Sequence, residues 1–285
     1  MSLKFTPRVG LVSAILLFVI SLSVALPLAF CKPDSGSQDG NDEQETKWKD
    51  DGVITTSADY TYTIDISAYA SALNTTESKY LLLANKTYVI GESYTPPGTV
   101  TVIDAQYTLN GKELSLAGNA AIAAEAMLKE MRACGYTDIY ITSGYRSYEY
   151  QMSLYHTYFN REKAAHPDWT DEQIKAQVLT YSAYPGTSEH QTGLCMDLFV
   201  SPDMKELENY GREGTYPDDV GFAETDEFKW LLQNAYKFGF ILRYPEDKVD
   251  VTGYSYESWH YRFVGIDAAT DIYENGLTLE EYLGK

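Results

Sequence analysis

The longest apolar run in the chain comes first: residues 9–30 carry no charge over twenty-two positions and follow Lys4 and Arg8. A helix crosses the hydrocarbon of a bilayer with ~20 such residues, so the run predicts an uncleaved membrane anchor with its positive end inside. A cleaved export signal is the alternative, with a shorter apolar core and a small-x-small site. Leu28-Ala29-Phe30-Cys31 approaches a lipoprotein signal, but Phe30 stands where a small residue is expected. Residues 32–51 hold seven acids, three bases and one aromatic, too little apolar surface to fold alone. They read as a tether. Residues 53–76, rich in Thr, Ser and Tyr with partial alternation, fit either a short strand pair or more linker.

Regular periods begin near residue 80. Short apolar runs at 80–83 and 87–90, followed by the Pro96-Pro97-Gly98 turn, predict strands. Residues 120–134 are Ala-rich at helical spacing and stop at Gly135. A buried strand at 139–142 delivers Ser143-Gly144-Tyr145-Arg146, and Ser147 caps a helix that runs to about 163. A second helix, 168–181, has Thr170 as its N-cap. In the strand 194–200, alternation sends Leu194, Met196 and Leu198 to one face and Asp197 to the other. The polar, Gly-rich stretch 201–221 predicts a long loop, a lid or substrate wall. An amphipathic helix at 228–238, strands at 240–244 and 259–264, and helices from 267 and 278 complete the chain. This order favours an α+β class, a mostly antiparallel central sheet flanked by helices. Three segments follow: an anchor over 1–31, a polar linker over 32–79 and a domain over 80–285.

Composition narrows the partners. The 44% hydrophobic content is ample for a packed core, while a formal charge of −19 argues against nucleic acid, whose phosphates are gripped by clustered Lys and Arg. The three cysteines, Cys31, Cys134 and Cys195, are too few for a disulfide framework or a cysteine-based zinc site. Cys134 and Cys195 read as buried small residues, and a single bridge between them is compatible with an extracellular location.

The candidate chemistry sits in Ser188-Glu189-His190-Gln191-Thr192-Gly193-Leu194-Cys195-Met196-Asp197 and Glu257-Ser258-Trp259-His260. A catalytic zinc site takes three protein ligands and keeps one position for water. His190, Asp197 and His260 supply that set, and Glu257, three residues before the last ligand, is placed to take a proton from the water. Cys195 lies two residues before Asp197 on the same strand face. A thiolate binds zinc well, but the His/Asp/His set is already complete without it. His156 and His166 lack acidic or metal-type neighbours and read as solvated.

Ser-x-His-x-x-Gly-x-x-x-Asp followed by Glu-x-Trp-His-x-Arg resembles the VanY-type zinc carboxypeptidases of bacterial cell walls, relatives of the D-Ala-D-Ala dipeptidases and of the hedgehog fold. Ser143-Gly144-Tyr145-Arg146-Ser147 with Gln151, the run YKFGFILRY at 236–244 and Thr252-Gly253-Tyr254 carry the same resemblance, which spans about 80–265. The chain departs from the pattern at Ser258, where proline is frequent, and at Cys195, where alanine is usual.

The resemblance implies a hedgehog/D-Ala-D-Ala-peptidase-like fold and a zinc D,D-carboxypeptidase acting on peptidoglycan stem peptides or their precursors, in the cell envelope outside the cytoplasm. It also implies that Arg146 binds substrate and stabilises the oxyanion, and that Ser188 and Gln151 contact substrate. An L,D-carboxypeptidase or a wall endopeptidase would use the same residues. A non-catalytic, zinc-stabilised wall-binding module is the rival from another class, and it has no use for Glu257.

Overall fold

The computed structural model describes residues 60–98, 100–200 and 221–285. The expected anchor over 1–31, the tether over 32–51 and, but for Gly221, the long loop expected over 201–221 lie outside the described residues.

The centre of the fold is a four-stranded antiparallel sheet in the order β3-β4-β6-β5, built from β3 (Ile139–Ser143), β4 (Cys195–Val200), β5 (Phe240–Tyr244) and β6 (Glu257–Phe263). The α+β expectation holds. Alternation along β4 works as predicted: Met196 and Leu198 enter the hydrophobic core, and Asp197 points to the opposite face. Two register irregularities shape one end of the sheet. One, in β3, sets Ser143 opposite Asp197; the other, in β5, sets Tyr244 opposite Glu257. Such bulges re-aim side chains at the rim of a sheet, and here they turn four polar residues toward one cleft.

Among the helices, α1 is a single turn (Ala70–Leu73), and α2 (Gly118–Ala133) lays Ala120, Ala123, Ala124, Met127, Leu128 and Met131 into the core. Its alanines permit close approach to the sheet. The helix ends as expected, with Gly135 at a positive φ of 97° and Tyr136 N–H donating back to the Met131 carbonyl at 2.9 Å. Helix α3 (Tyr148–Ala165) is capped by Ser147, whose hydroxyl accepts from Tyr150 N–H at 3.1 Å, and α4 (Asp171–Tyr181) by a reciprocal Thr170/Gln173 capping box. The predicted helix over 228–238 splits into α5 (Asp226–Asn234) and a 3-10 turn ending at Gly239. At Gly239 a Cβ would stand 2.8 Å from the Phe263 ring. Helices α6 (Val249–Thr252), α7 (Ile266–Asn275) and α8 (Leu279–Tyr282) complete the fold, with Thr278 capping α8.

Four expectations need correction. Residues 80–83 are not a strand: a 3-10 turn runs over Ser78–Leu81, and the carbonyls of Tyr80 (3.0 Å) and Leu82 (2.7 Å) accept from the Arg262 guanidinium in place of a neighbouring strand. Residues 87–90 are held instead by Asn85, whose side-chain oxygen accepts from Thr87 and Tyr88 N–H, each at 2.9 Å. The domain also begins before residue 80. Leu73 is buried in the core, and the carboxylate of buried Glu130 accepts from Thr63 N–H (2.8 Å), Ile64 N–H (2.9 Å) and Tyr60 hydroxyl (3.0 Å), so residues 60–79 pack as part of the body. Finally, Cys134 is disulfide-bonded while Cys195 is free, which rules out a bridge between the two. The small antiparallel pair β1 (Val100–Val102) and β2 (Ser115–Ala117) was not foreseen.

Candidate active site

The short turn Glu189–Thr192 leads into β4 and carries His190, while β6 places His260 directly across from Asp197. Gly144, at the end of β3, makes the geometry of His190 available. A Cβ there would stand 2.5 Å from the Ser115 carbonyl, so only glycine lets this backbone close in. Its own carbonyl accepts from His190 Nδ1–H at 2.8 Å. That bond fixes the tautomer and turns His190 Nε2 toward Asp197 Oδ2, 3.3 Å away.

His260 is oriented the other way round. Its Nε2–H donates to the Glu189 carboxylate at 3.0 Å, and its Nδ1 faces Asp197 Oδ1 at 3.1 Å. Glu189 is wholly buried between two guanidiniums, accepting from Arg243 Nε (2.8 Å) and an Arg262 terminal nitrogen (2.6 Å). Arg243 is in turn clamped by Glu280 at 2.6 and 2.8 Å. Burial alone would raise the Glu189 carboxyl; Arg243 and Arg262 outweigh it and hold the group far below the usual carboxylate range. A permanent carboxylate therefore stands behind His260.

These donors fit a single metal ion. A tetrahedral ion with ligands at ~2.0–2.1 Å keeps neighbouring donor atoms ~3.3–3.4 Å apart, close to the 3.3 Å from His190 Nε2 to Asp197 Oδ2 and the 3.1 Å from His260 Nδ1 to Asp197 Oδ1, so the carboxylate faces one ring with each oxygen. Each ring's far nitrogen is already fixed by a carbonyl or a carboxylate, the outer arrangement that orients histidine ligands. Burial and Arg146 pull His190 down, but Asp197 and Cys195 override them and raise it to about 9. An ion and a proton thus compete for the same nitrogens.

All the predicted site residues meet in one cavity of about 330 Å³: Arg146, Gln151, Ser188, His190, Asp197, Glu257 and His260 line it. Glu257 Oε2 is 3.5 Å from His260 Nδ1 and outside the hydrogen-bonded donor set. Burial pushes its carboxyl up to about 7, more than the neighbouring His260 pulls it down. Arg146 is held by Ser143 Oγ (3.0 and 2.7 Å) and pairs with Asp197 Oδ2 at 3.1 Å. Gln151 donates to the Ala183 carbonyl at 2.9 Å, and its buried Oε1 finds no partner among the described residues. Ser188 lies buried at the start of the His190 turn.

Sequence reasoning missed the supporting network of Glu189, Arg243, Arg262 and Glu280. Two signals were present: Glu189 adjoins one histidine, and Arg262 follows the other on the same strand face. Cys195, which the sequence placed on the ligand face but left outside an already complete His/Asp/His set, has its ligating atom and those of His190 and His260 within 4.8 Å of one another.

Two imidazoles and a carboxylate converging in a cleft, with a second carboxylate beside them, define a metallopeptidase-type centre on an α+β scaffold. The family model of VanY D-alanyl-D-alanine carboxypeptidases matches residues 113–266, and the chain belongs to that family. A D-alanyl-D-alanine carboxypeptidase of Enterococcus faecalis is 40% identical over 185 residues, covering 64% of this chain and 62% of its relative. A second, from Enterococcus faecium, is 30% identical over 209 residues, covering 71% and 57%. The chain thus spans somewhat less than two thirds of these relatives' own length. Among solved structures, a mutant of the vancomycin resistance D,D-pentapeptidase VanY in complex with Zn(II) matches with a TM-score of 0.54 at 35% identity, over 72% of this chain and 99% of that one. The LdcB LD-carboxypeptidase matches with a TM-score of 0.57 at 35% identity, over 72% and 86%.

Proposed function

We propose that this protein is a zinc-dependent D,D-carboxypeptidase that removes the terminal D-alanine from peptidoglycan stem peptides or their precursors. The observation that carries the reading is Glu257: a carboxylate 3.5 Å from His260, outside the donor set and lining the same cleft. A purely structural metal site has no use for such a group, which is why the wall-binding alternative is set aside.

His190, Asp197 and His260 would hold the ion, which supplies Lewis acidity and makes a water acidic enough to lose its proton near neutral pH. Glu257 takes that proton and returns it to the leaving amine, a role suited to a group whose pKa lies close to the working pH. Glu189 keeps the Nε2 proton of His260 in place and so presents Nδ1 to the site. Arg146, at the cleft edge, offers its planar fork either to the oxyanion or to the terminal carboxylate of the substrate. Gln151 and Ser188 line the same cavity and serve as substrate contacts. Residues 9–30 anchor the chain in the membrane, and the acidic stretch behind them lets the enzyme reach the wall.

The likeness to the LdcB LD-carboxypeptidase supports a second reading, cleavage of an L,D bond with the same machinery. Incubating the full chain with purified pentapeptide and tetrapeptide muropeptides separates the two. Mass spectrometry should find a single alanine lost from the pentapeptide; loss from the tetrapeptide alone would establish the L,D reading, and release from neither would defeat both.

A further inference from the structure

We propose that Cys195 is a metal ligand in this chain, its thiolate joining His190 and His260 around the ion that Asp197 also faces. The inference rests on the metal reading given above and deepens it. Cys195 opens β4 two residues before Asp197, so a pleated strand sends both side chains to the same side of the sheet. The neighbours that point the other way, Leu194, Met196 and Leu198, pack into the main hydrophobic cluster, and Cys195, equally buried, lies outside that cluster. It is fully buried and free of any disulfide.

The ordinary reading of a buried thiol is a small apolar residue packed among others. Here its surroundings differ. The ligating atoms of His190, Cys195 and His260 all lie within 4.8 Å of one another, and both rings are tethered from behind by Gly144 and Glu189. Zinc binds sulfur at ~2.3 Å and imidazole nitrogen at ~2.0–2.1 Å, so a tetrahedral ion would hold sulfur and nitrogen ~3.5 Å apart, inside that limit. Thiolate is the softest donor of the group and favours zinc over harder cations. Asp197 faces the same two rings, and because zinc accommodates a fifth ligand the thiolate leaves the hydrolytic water its position. A chain with alanine at this place has no such donor, so the cysteine gives this protein firmer retention of its metal.

Cobalt substitution of the full chain tests the assignment without relying on turnover. Wild-type protein loaded with one Co²⁺ per chain should display thiolate-to-cobalt charge transfer in the near ultraviolet, and Cys195→Ala and Cys195→Ser should lack it. Competition with a chromophoric chelator should find zinc bound more weakly in both variants, on the order of tenfold or more. Stoichiometric cobalt with visible ligand-field bands and no charge transfer would overturn the assignment and leave the metal site standing. Equal zinc affinity in wild type and variants would overturn it as well. Failure of wild-type protein to bind either metal would sink the underlying metal reading, and this inference with it. The wild-type spectrum decides the question even where a variant fails to fold.

Discussion

Two glutamates flank the imidazole of His260, and the protein treats them in opposite ways. Behind the ring, Glu189 is locked between Arg243 and Arg262 and held as a carboxylate far below its ordinary range. In front, Glu257 meets no comparable cation, and burial pushes it up to about 7. One residue type thus yields a fixed charge and a mobile proton within the reach of a single ring. The difference lies in neighbours, since desolvation acts on both, and Arg243 and Arg262 outweigh it at Glu189 while His260 and Arg146 do not at Glu257.

Exchanging the front glutamate gives the largest expected effect. Glu257→Gln keeps shape and polarity but accepts no proton at neutral pH, so turnover should fall by ~10²–10⁴-fold. Zinc content and melting temperature, measured on the same preparation, should be nearly unchanged. In wild type, activity needs the ionised form and is lost as pH falls through the pKa of Glu257. The charge of a bound ion lowers that pKa, so the acid limb of kcat/KM belongs at or below about pH 7. A Glu257→Gln variant that loses its zinc would make Glu257 a ligand and leave the site without a base.

Exchanging the rear glutamate should act on structure and metal first. Glu189→Gln leaves Arg243 and Arg262 buried with one charge fewer to pair them. Breaking such a buried pair costs ~3–5 kcal/mol, and loosening a histidine's outer partner weakens metal binding by ~10–100-fold. Urea denaturation and chelator competition read the two losses separately. Wild-type zinc affinity in a folded Glu189→Gln variant would remove Glu189 from any role in orienting His260.

Arg146 is smaller in consequence because a lysine preserves its charge. Arg146→Lys loses the planar fork that spans Ser143 and Asp197, and turnover should drop on the order of tenfold with normal folding. Unchanged kinetics would take Arg146 out of the site.

The smallest effect is on metal-free stability. Because its folded-state pKa lies above the ordinary carboxylate value, Glu257 contributes stability that is present at acid pH and lost as pH rises through about 7. Melting curves of metal-free wild type and Glu257→Gln should therefore diverge in favour of the variant between pH 5 and pH 8, and parallel curves would contradict the raised value.

Read along the chain, the sequence alone determined the α+β class, the alternation that sends Met196 inward and Asp197 outward, the caps at Ser147 and Thr170, and the residues that meet in the cleft. These were legible because helical and strand periods, capping chemistry and short motifs are local. Tertiary structure alone decided the rest. Residues 80–83 resemble a strand until Arg262, some 180 positions later, takes their carbonyls. The start of the domain moves to the other side of residue 79 because residues 60–64 supply the donors that buried Glu130 needs. The opposite fates of Glu189 and Glu257, and the approach of Cys195 to two imidazoles, follow from which side chains the sheet register brings within a few ångströms. No local pattern encodes that, because a carboxylate's charge and a thiol's role depend on neighbours distant in sequence, whose fields are strong only where the fold excludes water.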